Sequence, residues 1–148
     1  MESMDIILIL DTSLTHASEA DWRLELRFIE HLLKKVHISH LNTRVALITY
    51  GKSARLNFDF TKYTSKSKLL HAIASIKYSI GKWSDAGDAL KLARTRLLPQ
   101  VGRDASVMVL LVANSKSNIG PDAVGQAKQL KAEGVDIISI GISTEVDE

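Results

Sequence analysis

Apolar and polar residues follow two rhythms along this chain, unbroken apolar runs and stripes recurring every three to four positions. "IILIL" at 6–10 is a continuous run of branched aliphatic residues, the pattern of a strand covered on both faces in a parallel sheet. "SEADWRLELRFIEHLLKKV" follows, with Trp22, Leu26, Ile29, Leu33 and Val36 at helical spacing and Ser18 with Asp21 as a capping box. "TRVALITYG" at 43–51 predicts a second buried strand. "ARLNFDF" at 54–60, after the turn at Gly51, Lys52 and Ser53, predicts its hairpin partner.

Two helices are expected next. "TSKSKLLHAIASIKY" at 64–78 places Leu69, Leu70, Ile73 and Ile76 on one face, and "GDALKLARTRLL" at 87–98 runs until Pro99 stops it. The segment between them, "SIGKWSDAG", has no apolar period and reads as a loop. "SVMVLLVA" at 106–113 is the most hydrophobic strand. A helix over "GPDAVGQAKQLKAEG" follows, with Pro121 in its first turn and Gly134 as its stop, and "VDIISIGIS" closes the pattern. The order β-α-β-β-α-α-β-α-β predicts a doubly wound, Rossmann-like α/β fold. Its sheet is mostly parallel with one antiparallel edge strand, and helices cover both faces.

A length of 148 residues suits one domain spanning 1–148, with no repeat or linker. Composition is ordinary for a globular chain, 45% hydrophobic and 24% charged. The formal charge of +2 gives no field to recruit nucleic acid, and no apolar run is long enough to insert into a membrane. Absence of cysteine excludes disulfides, thiolate metal sites and cysteine nucleophiles. "MESM" at the start has no signal-peptide character, so the sequence reads as a soluble piece.

Chemistry concentrates where strands end, because the carboxyl ends of an open α/β sheet converge on one crevice. Asp11, Ser13 and Thr15 follow the first strand, Asn114, Ser115 and Ser117 end the fourth, and Ser84 and Asp85 precede the "GDAL" helix. This oxygen-only set suits a hard cation such as Mg²⁺ or Ca²⁺. Asp, Ser and Thr ahead of a helix also serve as caps and turns, so the D-x-S-x-T spacing by itself fits either role. The five histidines are scattered over a loop and helix faces, and none sits as a catalytic base.

"LILDTSLT", "TRVALITYG", "GKWSDAGDAL", "VMVLLVANSKS" and "AKQLKAEGVDIISIGI" occur in the order and spacing of a von Willebrand factor type A domain. The chain most resembles those of extracellular-matrix proteins such as collagen VI and the matrilins. The resemblance implies a metal-ion-dependent adhesion site in which Asp11, Ser13 and Thr15 match the D-x-S-x-S motif. Ser84 stands in the second loop, and Asn114 stands where the family carries an aspartate. Asp85 is a possible further ligand. Lys82, Trp83 and Ser115 border the site as partner contacts.

The function so implied is a secreted, non-enzymatic adhesion module that binds a matrix or cell-surface protein such as collagen through Mg²⁺ or Ca²⁺. A metal-independent assembly scaffold with a degenerate site is the alternative. A phosphotransferase of haloacid dehalogenase type is the weaker one, because Ser13 stands where that chemistry needs a second acid. Family domains continue into another strand and a terminal helix that this chain lacks, so the resemblance implies a shortened copy. A homodimer through the uncovered sheet edge is then expected. Arg55, Lys62, Lys66 and Lys68 form a basic stretch that fits either a polyanion or a solvated surface.

Overall fold

The computed structural model describes residues 3–12, 19–51, 53–78, 86–114 and 121–142, apart from the side chains at 114, 121 and 142. The strands are β1 (Met4–Asp11), β2 (Thr43–Tyr50), β3 (Ala54–Phe58), β4 (Ser106–Asn114) and β5 (Asp136–Ile142). The helices are α1 (Glu19–Lys34), α2 (Lys66–Ala74), α3 (Ala86–Leu92) and α4 (Pro121–Ala132). One sheet forms in the order β3-β2-β1-β4-β5, parallel throughout except for β3 against β2.

The unbroken apolar runs become the central strands because both sheet faces are covered. Ile7 and Ile9 of β1 join Ala46, Ile48, Val109 and Leu111 beneath α3 and α4. Ile6, Leu8 and Leu10 join Val45, Leu47, Leu110 and Val112 beneath α1 and α2. Successive residues therefore point to opposite cores, so a run of consecutive aliphatics contributes to both layers. Each fully buried side chain contributes about 1.5–3 kcal/mol.

Helix ends follow their local chemistry. α1 carries Glu19 and Asp21 in its first turn and His31 and Lys34 in its last, which complements the helix dipole. The expected cap Ser18 lies outside the described residues. α4 closes with Gly134 at φ +87°. Gly134 N–H donates to the Lys131 carbonyl at 3.0 Å and Val135 N–H to that of Leu130 at 3.1 Å, a Schellman closure that only a left-handed residue permits.

Two boundaries differ from the sequence reading. α2 ends at Ala74 rather than near Tyr78, where Ser75 Oγ donates to the His71 carbonyl at 2.8 Å and competes with the next turn. Pro99 does not stop the helix after α3. The chain widens into a π turn over Ala93–Leu97 and tightens into a 3₁₀ turn over Leu98–Gln100, with Leu98 N–H reaching back to the Ala93 carbonyl. Widening ahead of the proline accommodates a residue that has no N–H to continue the α-helical ladder.

Candidate metal centre at the switch point

From β1 the chain crosses to β2 on one side, while β4 adds on the other, so the strand order reverses between β1 and β4. Such a reversal opens a crevice at the carboxyl ends of the two strands. Asp11 ends β1 there, 3% exposed. The following residue is pinned: Thr12 donates from N–H at 2.8 Å and from Oγ1 at 3.2 Å to the Tyr50 carbonyl at the end of β2. On the other side Leu10 is in register with Val112, so Asn114 ends β4 beside the same crevice.

The structure thus brings together the ends of the strands that carry Asp11 and Asn114. Ser13, Thr15, Lys82, Trp83, Ser84, Asp85, Ser115 and Ser117 lie outside the described residues. α3 begins at Ala86, directly after that second loop, and packs against β1 and β2. Among the described residues no group of three or more His, Cys, Asp or Glu side chains could hold a metal ion. A cation beside Asp11 would therefore need further oxygen donors from the loops, among which Asp85 is an acid.

Sequence reading missed one acid. Glu25 of α1 is 4% exposed, in line with the buried Ile29 and Leu33 at successive intervals of four. Burial, reinforced by the negative charges of Asp11 and then Asp21, raises its carboxyl from an ordinary 4.5 to about 9. The signal was present in the sequence, since position 25 falls on the stripe that otherwise holds Trp22, Ile29 and Leu33. Trp22 is itself buried, as its stripe requires, with its ring 6.1 Å from that of Tyr78 in an edge-on contact.

The basic stretch divides. Arg55 and Lys68 line a groove of about 690 Å³ between β3 and α2, together with His71 and Lys77. Lys66 instead donates to the Lys34 carbonyl at 2.9 Å.

A family model for the von Willebrand factor type A domain matches residues 5–148. The chain belongs to that family. Human vitrin is 29% identical over 148 residues, covering 100% of this chain and 21% of vitrin. Guinea-pig (Cavia porcellus) cochlin is 28% identical over 141 residues, covering 95% of this chain and 25% of cochlin. The chain thus spans a quarter or less of these relatives. Both are secreted extracellular-matrix proteins.

Among solved structures, proximal thread matrix protein 1 from the mussel byssus, with a zinc-occupied MIDAS motif, superposes with a TM-score of 0.85 at 24% identity. That match covers 95% of this chain and 36% of the mussel chain. Manganese-loaded TRAP protein of Plasmodium vivax superposes at 0.80 with 20% identity, over 99% of this chain and 59% of TRAP. These likenesses support the type A fold, a mostly parallel five-stranded sheet with one antiparallel edge.

Proposed function

We propose that this type A domain is a non-enzymatic adhesion or matrix-assembly module of the extracellular matrix, which binds a protein partner over the carboxyl-end crevice. One observation carries the reading: the buried carboxylate Asp11 ends β1 at the point where strand order reverses. The donor set fits a hard divalent ion. Asp11, Ser13, Thr15, Ser84 and Asn114 offer only oxygen, with Asp85 as a further carboxylate, and the crevice has negative charge strong enough to be felt by Glu25. Bound there, Mg²⁺ or Ca²⁺ supplies a coordination position to an acidic side chain of the partner. Lys82, Trp83 and Ser115 border the contact, and collagen is the partner class to test first.

Calorimetric titration with Mg²⁺, Ca²⁺ and Mn²⁺ at millimolar concentration checks the site. The intact chain is expected to give saturable heat and Asp11→Ala none, and binding to immobilised collagen should be lost alike on chelation and in Asp11→Ala. Partner binding that survives both treatments would replace this reading with the metal-independent scaffold.

The outer edge of β5 supports a second, smaller proposal. Ile138 on that strand is 47% exposed, and among the described residues no strand pairs beyond it. Edge-to-edge pairing of two copies would cover it. Sedimentation should then show a concentration-dependent dimer that Ile138→Lys weakens; a single monomeric species at the highest soluble concentration removes the proposal.

A further inference from the structure

The donors assigned to the crevice carry little charge. Ser13, Thr15 and Ser84 are neutral hydroxyls and Asn114 is a neutral amide, which leaves Asp11 as the one carboxylate contributed by the ends of β1 and β4. Affinity for a hard divalent ion rises with the number of charged ligands around it. A second negative charge is therefore worth seeking outside the loops.

α1 carries one. The chain rises along β1 and returns through α1 to begin the parallel strand β2, so α1 runs opposite to β1. Its amino-terminal turns consequently lie at the level of the strands' carboxyl ends. Ile29 and Leu33 fill the core with Leu8 and Leu10, and Glu25 continues their stripe four residues, about 6 Å, nearer the crevice. An aliphatic side chain would complete this stripe. A carboxyl group occupies it instead, 4% exposed.

Among the described residues no Lys, Arg or His pairs with Glu25 and no hydrogen bond reaches it. The charges that act on it are those of Asp11 and Asp21, both of its own sign. A buried acid facing acids, without a positive partner, is a costly arrangement unless a cation completes it.

We infer that Glu25 is a carboxylate of the Asp11 crevice supplied from outside the loops, bringing from α1 the negative charge that the amide of Asn114 does not. The inference rests on the cation reading of that crevice. Glu25 acts through its charge from behind Asp11, since Asp11, Asp21 and Glu25 do not by themselves form a metal cage. Glu25 lies on α1, which packs on the sheet face that carries Leu8 and Leu10. Placed there it is shielded from solvent, where screening is weakest.

A double-mutant cycle tests this with Mn²⁺ and Mg²⁺ as probes. Dissociation constants are measured by calorimetry for the intact chain, Glu25→Gln, Asn114→Asp and the double variant, with circular dichroism to establish that each is folded. Glu25→Gln is expected to weaken binding about 10- to 100-fold. Asn114→Asp should restore most of that loss in the Glu25→Gln background, while adding less to the intact chain. Glu25→Met, which keeps the volume without a dipole, should behave as Glu25→Gln.

Unchanged affinity in Glu25→Gln would make Glu25 a structural residue only. Equal gains from Asn114→Asp in both backgrounds would make the two positions independent and overturn the inference. If the intact chain binds neither ion, the cation reading itself falls and takes this inference with it. That outcome is distinct from a chain that binds and ignores position 25.

Discussion

Asp5→Ala is expected to destabilise the fold by about 3–5 kcal/mol, because it leaves buried guanidinium charge uncompensated. Asp5 is fully buried. Arg44 grips it with two bonds, Nε to Oδ1 at 2.8 Å and Nη2 to Oδ2 at 2.7 Å. Arg103 adds Nη2 to Oδ1 at 2.6 Å. The guanidinium groups also reach backbone: Arg44 donates to the Val101 carbonyl at 3.0 Å, and Arg103 to those of Asn42 at 2.7 Å and Leu41 at 3.1 Å. One carboxylate thereby ties β1, β2, the loop before β2 and the turn before β4.

The pH dependence has a definite sign. Burial pushes the Asp5 carboxyl up, but the hydrogen bonds and charges of Arg44 and Arg103 outweigh it and hold the group below its ordinary 3.8. A carboxyl depressed in the folded state contributes stability above its unfolded value and loses it as pH falls through the folded one. Urea midpoints of the intact chain and Asp5→Ala should therefore stand far apart at pH 7 and converge only below about pH 4. Cation affinity should not change, because this cluster lies at the opposite end of the strands from Asp11. An unchanged urea midpoint at pH 7 would show that the cluster contributes nothing net.

Asp5 also marks what sequence reading reaches. The strands were legible because a central parallel strand needs apolar residues on both faces, and "IILIL" and "VMVLLVA" have no other stable use. Gly134 was legible because a left-handed stop is a local requirement. The pairing of Asp5 with Arg103 was not, since the partners are 98 residues apart and no periodicity links them. Glu25 was hidden differently, because an acid on a helix is ordinarily assigned to solvent, and only the buried Ile29 and Leu33 in line with it reveal its position. At the candidate site, the positions of Asp11 and Asn114 follow directly from where their strands end. The loop hydroxyls named from the sequence have no such periodic pattern around them.

Glu25→Gln is expected to stabilise the cation-free domain, and by more as pH rises. The folded carboxyl is raised from 4.5 to about 9, first by burial and then by Asp11 and Asp21. The unfolded chain therefore ionises Glu25 across a pH range in which the folded chain must keep it protonated. A raised group contributes its stability fully below its unfolded value and loses it as pH climbs towards the folded one. At about 1.4 kcal/mol per pH unit, the penalty at pH 7 is roughly 3 kcal/mol, which glutamine does not incur. Chemical denaturation in a chelating buffer should show the variant and the intact chain converging near pH 4, separating up to about pH 9 and running parallel beyond. Equal stabilities at pH 8 would mean that Glu25 ionises in the fold at little cost. Saturating Mn²⁺ should narrow the gap at neutral pH, because a bound ion stabilises the chain that retains the charge more than the one that has lost it. The substitution thus strengthens the empty fold and weakens its hold on the ion, the opposite signs expected where an acid is kept in a core for its ligand.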